Sequence, residues 1–176
     1  MKIFWQISFV LLLLVSPLWS GCGNDQNTPD APAAPPAPAA IPVSDDSGTQ
    51  VVQLTGNDTM QYNGARFTVT SGQPVRIELT NAGVQPRAIM AHNVVILQSG
   101  SDVPDFALAA NQAKDNGYLP ADQMNLVLAH TAFAGPGETV QTSFTAPAPG
   151  EYPFLCTFPG HFAAGMHGIM VVVPAK

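Results

Sequence analysis

Residues 151–174 read EYPFLCTFPGHFAAGMHGIMVVVP. Two apolar, strand-favouring runs, EYPFLC (151–156) and GIMVVVP (168–174), flank a loop in which Cys156, His161 and Met166 recur at steps of five residues. A strand, a donor-bearing loop and a second strand bring those three side chains to one end of a β-structure. Within the loop, Pro159 and Gly160 occupy the central positions of a type II turn, which folds His161 back toward Cys156. Met166, where the chain enters the last strand, approaches the same point from a third direction.

Working outward, the region from Thr49 shows the same alternation of β-rich runs and turn residues: TQVVQLTG, ARFTVTSG, QPVRIELTNAG, AIMAHNVVILQSG, NLVLAHTAFAGPG and ETVQTSFTAPAPG precede the two runs above. Phe67 and Val69 share one face of RFTVT, and Val75, Ile77 and Leu79 share one face of VRIEL, so each strand carries an apolar side. About eight short strands separated by Gly and Pro predict an all-β, antiparallel sandwich or barrel. One segment differs: SGSDVPDFALAANQAKDNG (99–117) has capping residues, Pro104 in the first turn, Phe106, Ala109, Ala110 and Ala113 at helical spacing and Gly117 as a stop. It predicts a short helix inserted between strands and packed on the outside of the sandwich.

A thiolate, an imidazole and a thioether are soft-sulfur and nitrogen donors, a set that suits copper rather than calcium or magnesium. Structural zinc fits Cys and His but gains little from Met. Three donors leave the sphere incomplete, and the remaining histidines are His92, His130 and His167. His167 adjoins Met166 and, in extended backbone, points to the opposite side. His130 has no neighbour that marks it as a ligand. His92 opens the apolar run AHNVVIL and is followed by Asn93, whose amide is suited to tying two loops together, so His92 is the expected fourth donor.

With these residues in place, AHN (91–93) followed by CTFPGHFAAGMHG (156–168) resembles the cupredoxin family of blue copper proteins, in its azurin and auracyanin branches. QLTGNDTMQYN and LVLAHTAFAGPGE extend the resemblance over most of Thr49 to Val173, and the four residues between His161 and Met166 match the auracyanin branch. The resemblance implies a Greek-key cupredoxin sandwich binding one Cu(I)/Cu(II) ion. His92, Cys156 and His161 would form a trigonal plane, with Met166 as a weak axial ligand and the carbonyl of Ala91 as a distant fifth contact. It further implies a non-enzymatic electron carrier with Asn93 behind the ligands and a docking patch of Pro159, His161, Phe162, Ala163 and Ala164. The partners implied are redox proteins: a quinol-oxidising complex on one side, and a cytochrome, oxidase or reaction centre on the other. Copper delivery, and service as one cupredoxin subunit of a larger oxidase, stand as alternatives.

The N-terminal part reads as targeting. Lys2, the apolar run FVLLLLV and the small residues before Cys22 form an export signal over 1–21, lipoprotein-like with Cys22 as the lipidation site. An uncleaved anchor and cleavage to a soluble form are the other readings. Six prolines and six alanines crowd between Pro29 and Pro42. That composition makes residues 22–48 a polyproline-rich tether, of which Gly23 to Ser47 reach on the order of 70 Å when extended, and leaves 49–176 as the folded domain. The expected location is therefore the membrane, facing the periplasm or the outside. The exported part carries five basic and twelve acidic residues, a net charge of −7. It lacks the basic face that nucleic-acid binding requires, and the domain is expected to be monomeric.

Overall fold

The computed structural model describes residues 43–176; the export signal or anchor over 1–21, Cys22 and the tether as far as residue 42 lie outside the described residues. Among the described residues, nine strands form two sheets: β1 (Val43–Ser44), β2 (Gln50–Gly56), β3 (Arg66–Thr70), β4 (Pro74–Asn81), β5 (Val95–Leu97), β6 (Val127–His130), β7 (Thr139–Thr145), β8 (Gly150–Leu155) and β9 (His167–Val173). One sheet has the order β1-β2-β4-β7, the other β3-β9-β8-β5-β6. The two-layer, all-β architecture is the expected sandwich.

The inward faces follow from the period-2 patterning. β4 alternates strictly, burying Val75, Ile77, Leu79 and Asn81. With Val52 and Leu54 of β2, its apolar residues face Phe67 and Val69 of β3, Phe154 of β8, and Met170 and Val172 of β9 across the sandwich. The helix α2 (Val103–Gln112) starts at an Asp102 cap, whose carboxylate accepts from the Asp105 N–H, and carries Pro in its first turn. It buries Phe106, Ala107 and Ala110, and Phe106 and Ala107 pack with Val95, Leu97 and Leu155 of the second sheet. This is the inserted helix placed on the outside, with Ala107 on the buried stripe where Ala109 was expected.

Three features depart from expectation. The sandwich is not wholly antiparallel: β2 pairs parallel with β4, and β3 parallel with β9. The chain crosses to the other sheet at β3 before returning at β4, so β2 and β4 run the same way. The run AIMAHNVVIL is not one strand; Arg87–Met90 forms a single helical turn, α1, and β5 begins only at Val95. The third departure is at the start of the domain, where Val43 and Ser44, assigned to the tether, join the sheet and residues 45–48 form the turn that follows. Val43 and Ser44 pair with Val51 and Gln50, and the Asp45 carboxylate accepts from the N–H groups of Ser47 and Thr49, closing the turn.

Asp45 also receives Arg76 Nη1 at 3.0 Å. The Ser47 hydroxyl, then the Thr49 and Ser47 amides and Arg76, hold its carboxyl well below the usual carboxylate range, to about 2. A lowered folded pKa contributes stability that is present above the ordinary carboxylate pKa and lost as pH falls through the folded value. The β1–β2 turn is therefore expected to stay intact down to about pH 4 and open between there and about pH 2. Titration of the Asp45 carboxyl carbon by NMR checks this: an ordinary midpoint would show that the turn does not hold the carboxylate.

Candidate metal centre

The ligand loop is held by its own backbone. Gly160 sits at φ +83°, where a glycine carries no penalty, and the turn closes with His161 N–H donating to the Phe158 carbonyl at 3.1 Å. Met166 N–H donates to the His161 carbonyl, and Cys156 N–H to the Met166 carbonyl, each at 3.0 Å. The ends of the loop are thus joined to each other, and the type II turn read from Pro159 and Gly160 is present.

His92 arrives from the opposite side of the sandwich end. Its backbone exchanges two hydrogen bonds with Ala134, at 3.1 and 2.7 Å. Asn81 locks that crossing: its Nδ2 donates to the carbonyls of Met90 (2.9 Å) and Ala134 (3.1 Å), and its Oδ1 accepts from Gly83 N–H. Asn93 joins His92's segment to the ligand loop, donating from Nδ2 to Thr157 Oγ1 and accepting from Thr157 N–H, both at 2.9 Å. Tyr62 adds a third tie, its hydroxyl donating to the Asn93 carbonyl.

Together these ties converge the donors. Nδ1 of His92 lies 3.2 Å from Nδ1 of His161, and Cys156 Sγ lies 3.5 Å from that same His161 nitrogen. One ligand atom from each of the three residues falls within 4.8 Å of the others, and all three residues are buried. Met166 is buried too. Its place beside His92 is marked by Gly56: a Cβ there would stand 2.8 Å from His92 Cδ2 and 3.0 Å from Met166 Cε. Gly56 keeps open the space that both side chains use.

Burial sets the charge of this cluster. It pushes the Cys156 thiol up to about 12, against the opposing pull of the Asn93 and Phe158 amides on the sulfur. It pushes His161 down to about 4, helped by His92. His92 is also lowered by burial, with the Asn57 carbonyl opposing, although its Nε2 makes no hydrogen bond of full geometry. Without a cation the site is a neutral thiol between two neutral imidazoles, and binding a cation displaces the thiol proton. Two nitrogens, one sulfur and a neighbouring thioether in a closed apolar site fit copper and offer calcium or magnesium none of the oxygens they require.

The other expected residues distribute as follows. His130 ends β6 on the surface, and His167 is exposed while its neighbour Met166 is buried, so neither enters the cluster. Pro159, Ala163 and Ala164 are exposed and Phe162 half-buried, whereas His161 is only 2% exposed. Beside His161 lies Phe158, with ring centroids 4.8 Å apart, and Phe158 in turn meets Phe133 edge-on and Tyr118 at a tilt. Gly56, Asn81, Tyr62, Thr157 and Phe158 were not read from the sequence. Only Asn81 left a clear trace there, as a polar residue continuing the inward phase of Val75, Ile77 and Leu79.

Asn93→Ala strands the buried Thr157 N–H. The metal-free protein is expected to lose about 1–3 kcal/mol of stability, measured by denaturant unfolding; an unchanged midpoint would mean that water replaces the amide.

The chain matches the family described as copper binding proteins, plastocyanin/azurin family, over residues 49–173. It is 34% identical over 152 residues to Auracyanin-B of Chloroflexus aurantiacus, a match spanning 84% of this chain and 62% of that protein. It is 35% identical over 181 residues to Outer membrane protein H.8 of Neisseria meningitidis serogroup B, spanning 92% of this chain and 97% of that one. Among solved structures, dithionite-reduced auracyanin from Roseiflexus castenholzii superposes with a TM-score of 0.61 at 37% identity, covering 70% of this chain and 97% of that one. With His92, Cys156 and His161 arranged as a copper-binding site and Met166 beside them, the chain belongs to the plastocyanin/azurin family of copper-binding proteins and is a type 1 blue copper electron carrier, not an enzyme.

Proposed function

We propose that this carrier shuttles single electrons between membrane-associated redox complexes, taking them from a quinol-oxidising complex and passing them to a cytochrome, oxidase or reaction centre. Copper, when bound, supplies a one-electron couple. His92 Nδ1, Cys156 Sγ and His161 Nδ1 would hold it, with the Met166 thioether and the Ala91 carbonyl as the further groups that would approach it. The convergence of three buried donors on one point carries this reading. Donors fixed by Asn81, Asn93 and the loop's own hydrogen bonds move little between oxidation states, which suits rapid exchange. The same burial opposes copper delivery, which needs donors open to exchange.

The location follows the same reading. The protein is exported and held at the membrane through lipid on Cys22 or an uncleaved N-terminal anchor, with residues 22–42 as its leash. One relative is itself named an outer membrane protein, which supports that placement, and mass spectrometry of the membrane fraction tests the lipid on Cys22.

Adding Cu(II) to the purified protein is expected to produce an intense blue absorption that disappears on reduction and returns on oxidation. A colourless complex would sink the electron-carrier reading.

A further inference from the structure

The connection between β2 and β3, residues 57–65, lies against the His92 segment and is fixed there at several points. Tyr62 pairs back with Gly56, at the end of β2, as an antiparallel bridge. Asn63 locks that return: its N–H donates to the Thr55 carbonyl and its Oδ1 accepts the Thr55 N–H, both at 2.9 Å. In between, the chain turns at Met60, whose φ of +57° is a left-handed conformation that a residue with a side chain disfavours. The Asp58 carboxylate accepts the N–H groups of Val84 and Gln85, at 2.9 and 3.3 Å. A turn tied this firmly, at a cost in backbone strain, holds its side chains in set positions.

Tyr62 is the side chain so held. Its ring packs on Phe154, with centroids 5.4 Å apart, and its hydroxyl turns inward to donate to the Asn93 carbonyl. Burial, and then the neighbouring Cys156, hold the phenol well above its ordinary pKa, so it stays a donor. The peptide it meets is gripped from both ends, because the Val94 N–H across the same peptide bond donates to the buried Thr131 Oγ1 at 3.1 Å. Every polar group of Asn93 is thereby engaged. Its side chain bonds Thr157 twice, its N–H reaches the Cys156 sulfur, and its carbonyl accepts Tyr62. Thr157 and Cys156 both lie on the ligand loop, so Tyr62 holds Asn93 from outside that loop.

We propose that Tyr62 is a positioning residue of the electron-transfer site: its hydroxyl fixes the Asn93 backbone so that the Asn93 N–H stays on the Cys156 sulfur, and in doing so raises the reduction potential. The inference rests on the electron-carrier reading and adds to it a residue outside the donor set. A hydrogen bond donated to a thiolate withdraws charge from it, and a weaker anionic donor favours Cu(I) over Cu(II). Phenylalanine in place of Tyr62 keeps the ring on Phe154 and removes the hydroxyl alone. The Asn93 amide then loosens from the sulfur, and the potential falls.

Tyr62→Phe in the full-length protein tests this with and without metal. Metal-free, the variant is expected to speed hydrogen exchange at the Asn93 and Val94 amides about fivefold, the loss of one net hydrogen bond. Copper-loaded, it is expected to stay blue with a reduction potential below the parent's. Replacing Tyr62 with 4-aminophenylalanine, which keeps a donor at the same ring position, should return both values toward the parent. Tyr152→Phe deletes the hydroxyl that bonds the Ala148 carbonyl near the start of β8 and should move neither. An unchanged potential in Tyr62→Phe, no recovery with 4-aminophenylalanine, or an equal drop in Tyr152→Phe would overturn the assignment. A parent protein with no reversible couple would overturn the carrier reading instead, and exchange rates in the metal-free proteins would still decide whether Tyr62 holds Asn93.

Discussion

Cys156→Ser is expected to remove the blue absorption of the copper-loaded protein completely. That absorption is a thiolate-to-copper transition, and Cys156 is the only cysteine among the described residues. Its sulfur is also the only donor of the three that becomes an anion when a cation enters, since each imidazole, kept unprotonated by burial, binds through a neutral nitrogen lone pair. A serine hydroxyl is harder and keeps its proton, so the band is lost and affinity falls with it. Bound metal stabilises only the folded protein, by about 2.7 kcal/mol at a hundredfold excess over Kd, so copper should raise the melting temperature of the parent but not of the variant. Met166→Leu should leave a blue site with an altered potential, because it removes only the neighbouring thioether and keeps the thiolate and both imidazoles. His130→Ala, on the surface at the end of β6, should change neither. Absorption spectra and redox titrations of the three variants check these outcomes, and a persisting blue band in Cys156→Ser would overturn the ligand assignment.

Gly168→Ala is expected to be strongly destabilising for the addition of a single methyl. A Cβ at residue 168 would stand 2.3 Å from the Ala65 carbonyl oxygen and 2.4 Å from Phe154 Cζ. Neither atom has room to retreat. The Ala65 carbonyl accepts the Ile169 N–H at 2.9 Å, while Phe154 is fully buried and packs against Phe67 and Tyr62 with ring centroids 5.2 and 5.4 Å away. Overpacking of this kind costs about 3 kcal/mol, which for a domain of this length lowers Tm by about 10 °C. Thermal unfolding of the metal-free protein measures it without interference from copper. An unchanged midpoint would show that β8 and β9 re-space to admit the methyl.

What could be read in advance depended on whether the controlling interaction is local. Alternation in RFTVT and PVRIELTN, the Asp102 cap and Pro104 of α2, and the Pro159–Gly160 turn are decided within a few residues, and each has its expected form. The donors in the ligand loop were legible for the same reason, since the turn alone returns His161 toward Cys156. By contrast, the parallel β2–β4 and β3–β9 pairs depend on which sheet β3 joins, a long-range choice that strand patterning does not encode. The short β1 was hidden because Ser44-Asp45-Asp46-Ser47-Gly48 reads equally as the end of a polar linker and as a hairpin turn. His92 was found through its neighbour Asn93, but its setting was misread. It is fixed by a backbone bridge to Ala134 and by the buried Asn81 side chain, contacts with residues far away in the sequence. Gly56 carries no sequence signal of its role, because what matters there is the absence of a side chain beside two others.

The bond from Cys156 N–H to the Met166 carbonyl makes the ligand loop a closed ring, fastened at its mouth and tied within itself at Phe158 and His161. A ring closed in this way can gain or lose residues on its His161-to-Met166 side without changing the spacing of the strands that carry it. Loop length is then a variable that evolution can adjust independently of the sandwich, altering how Met166 meets the metal while leaving Cys156 and His161 in register. On this view the sandwich is the invariant chassis, and the span between histidine and methionine is the adjustable part.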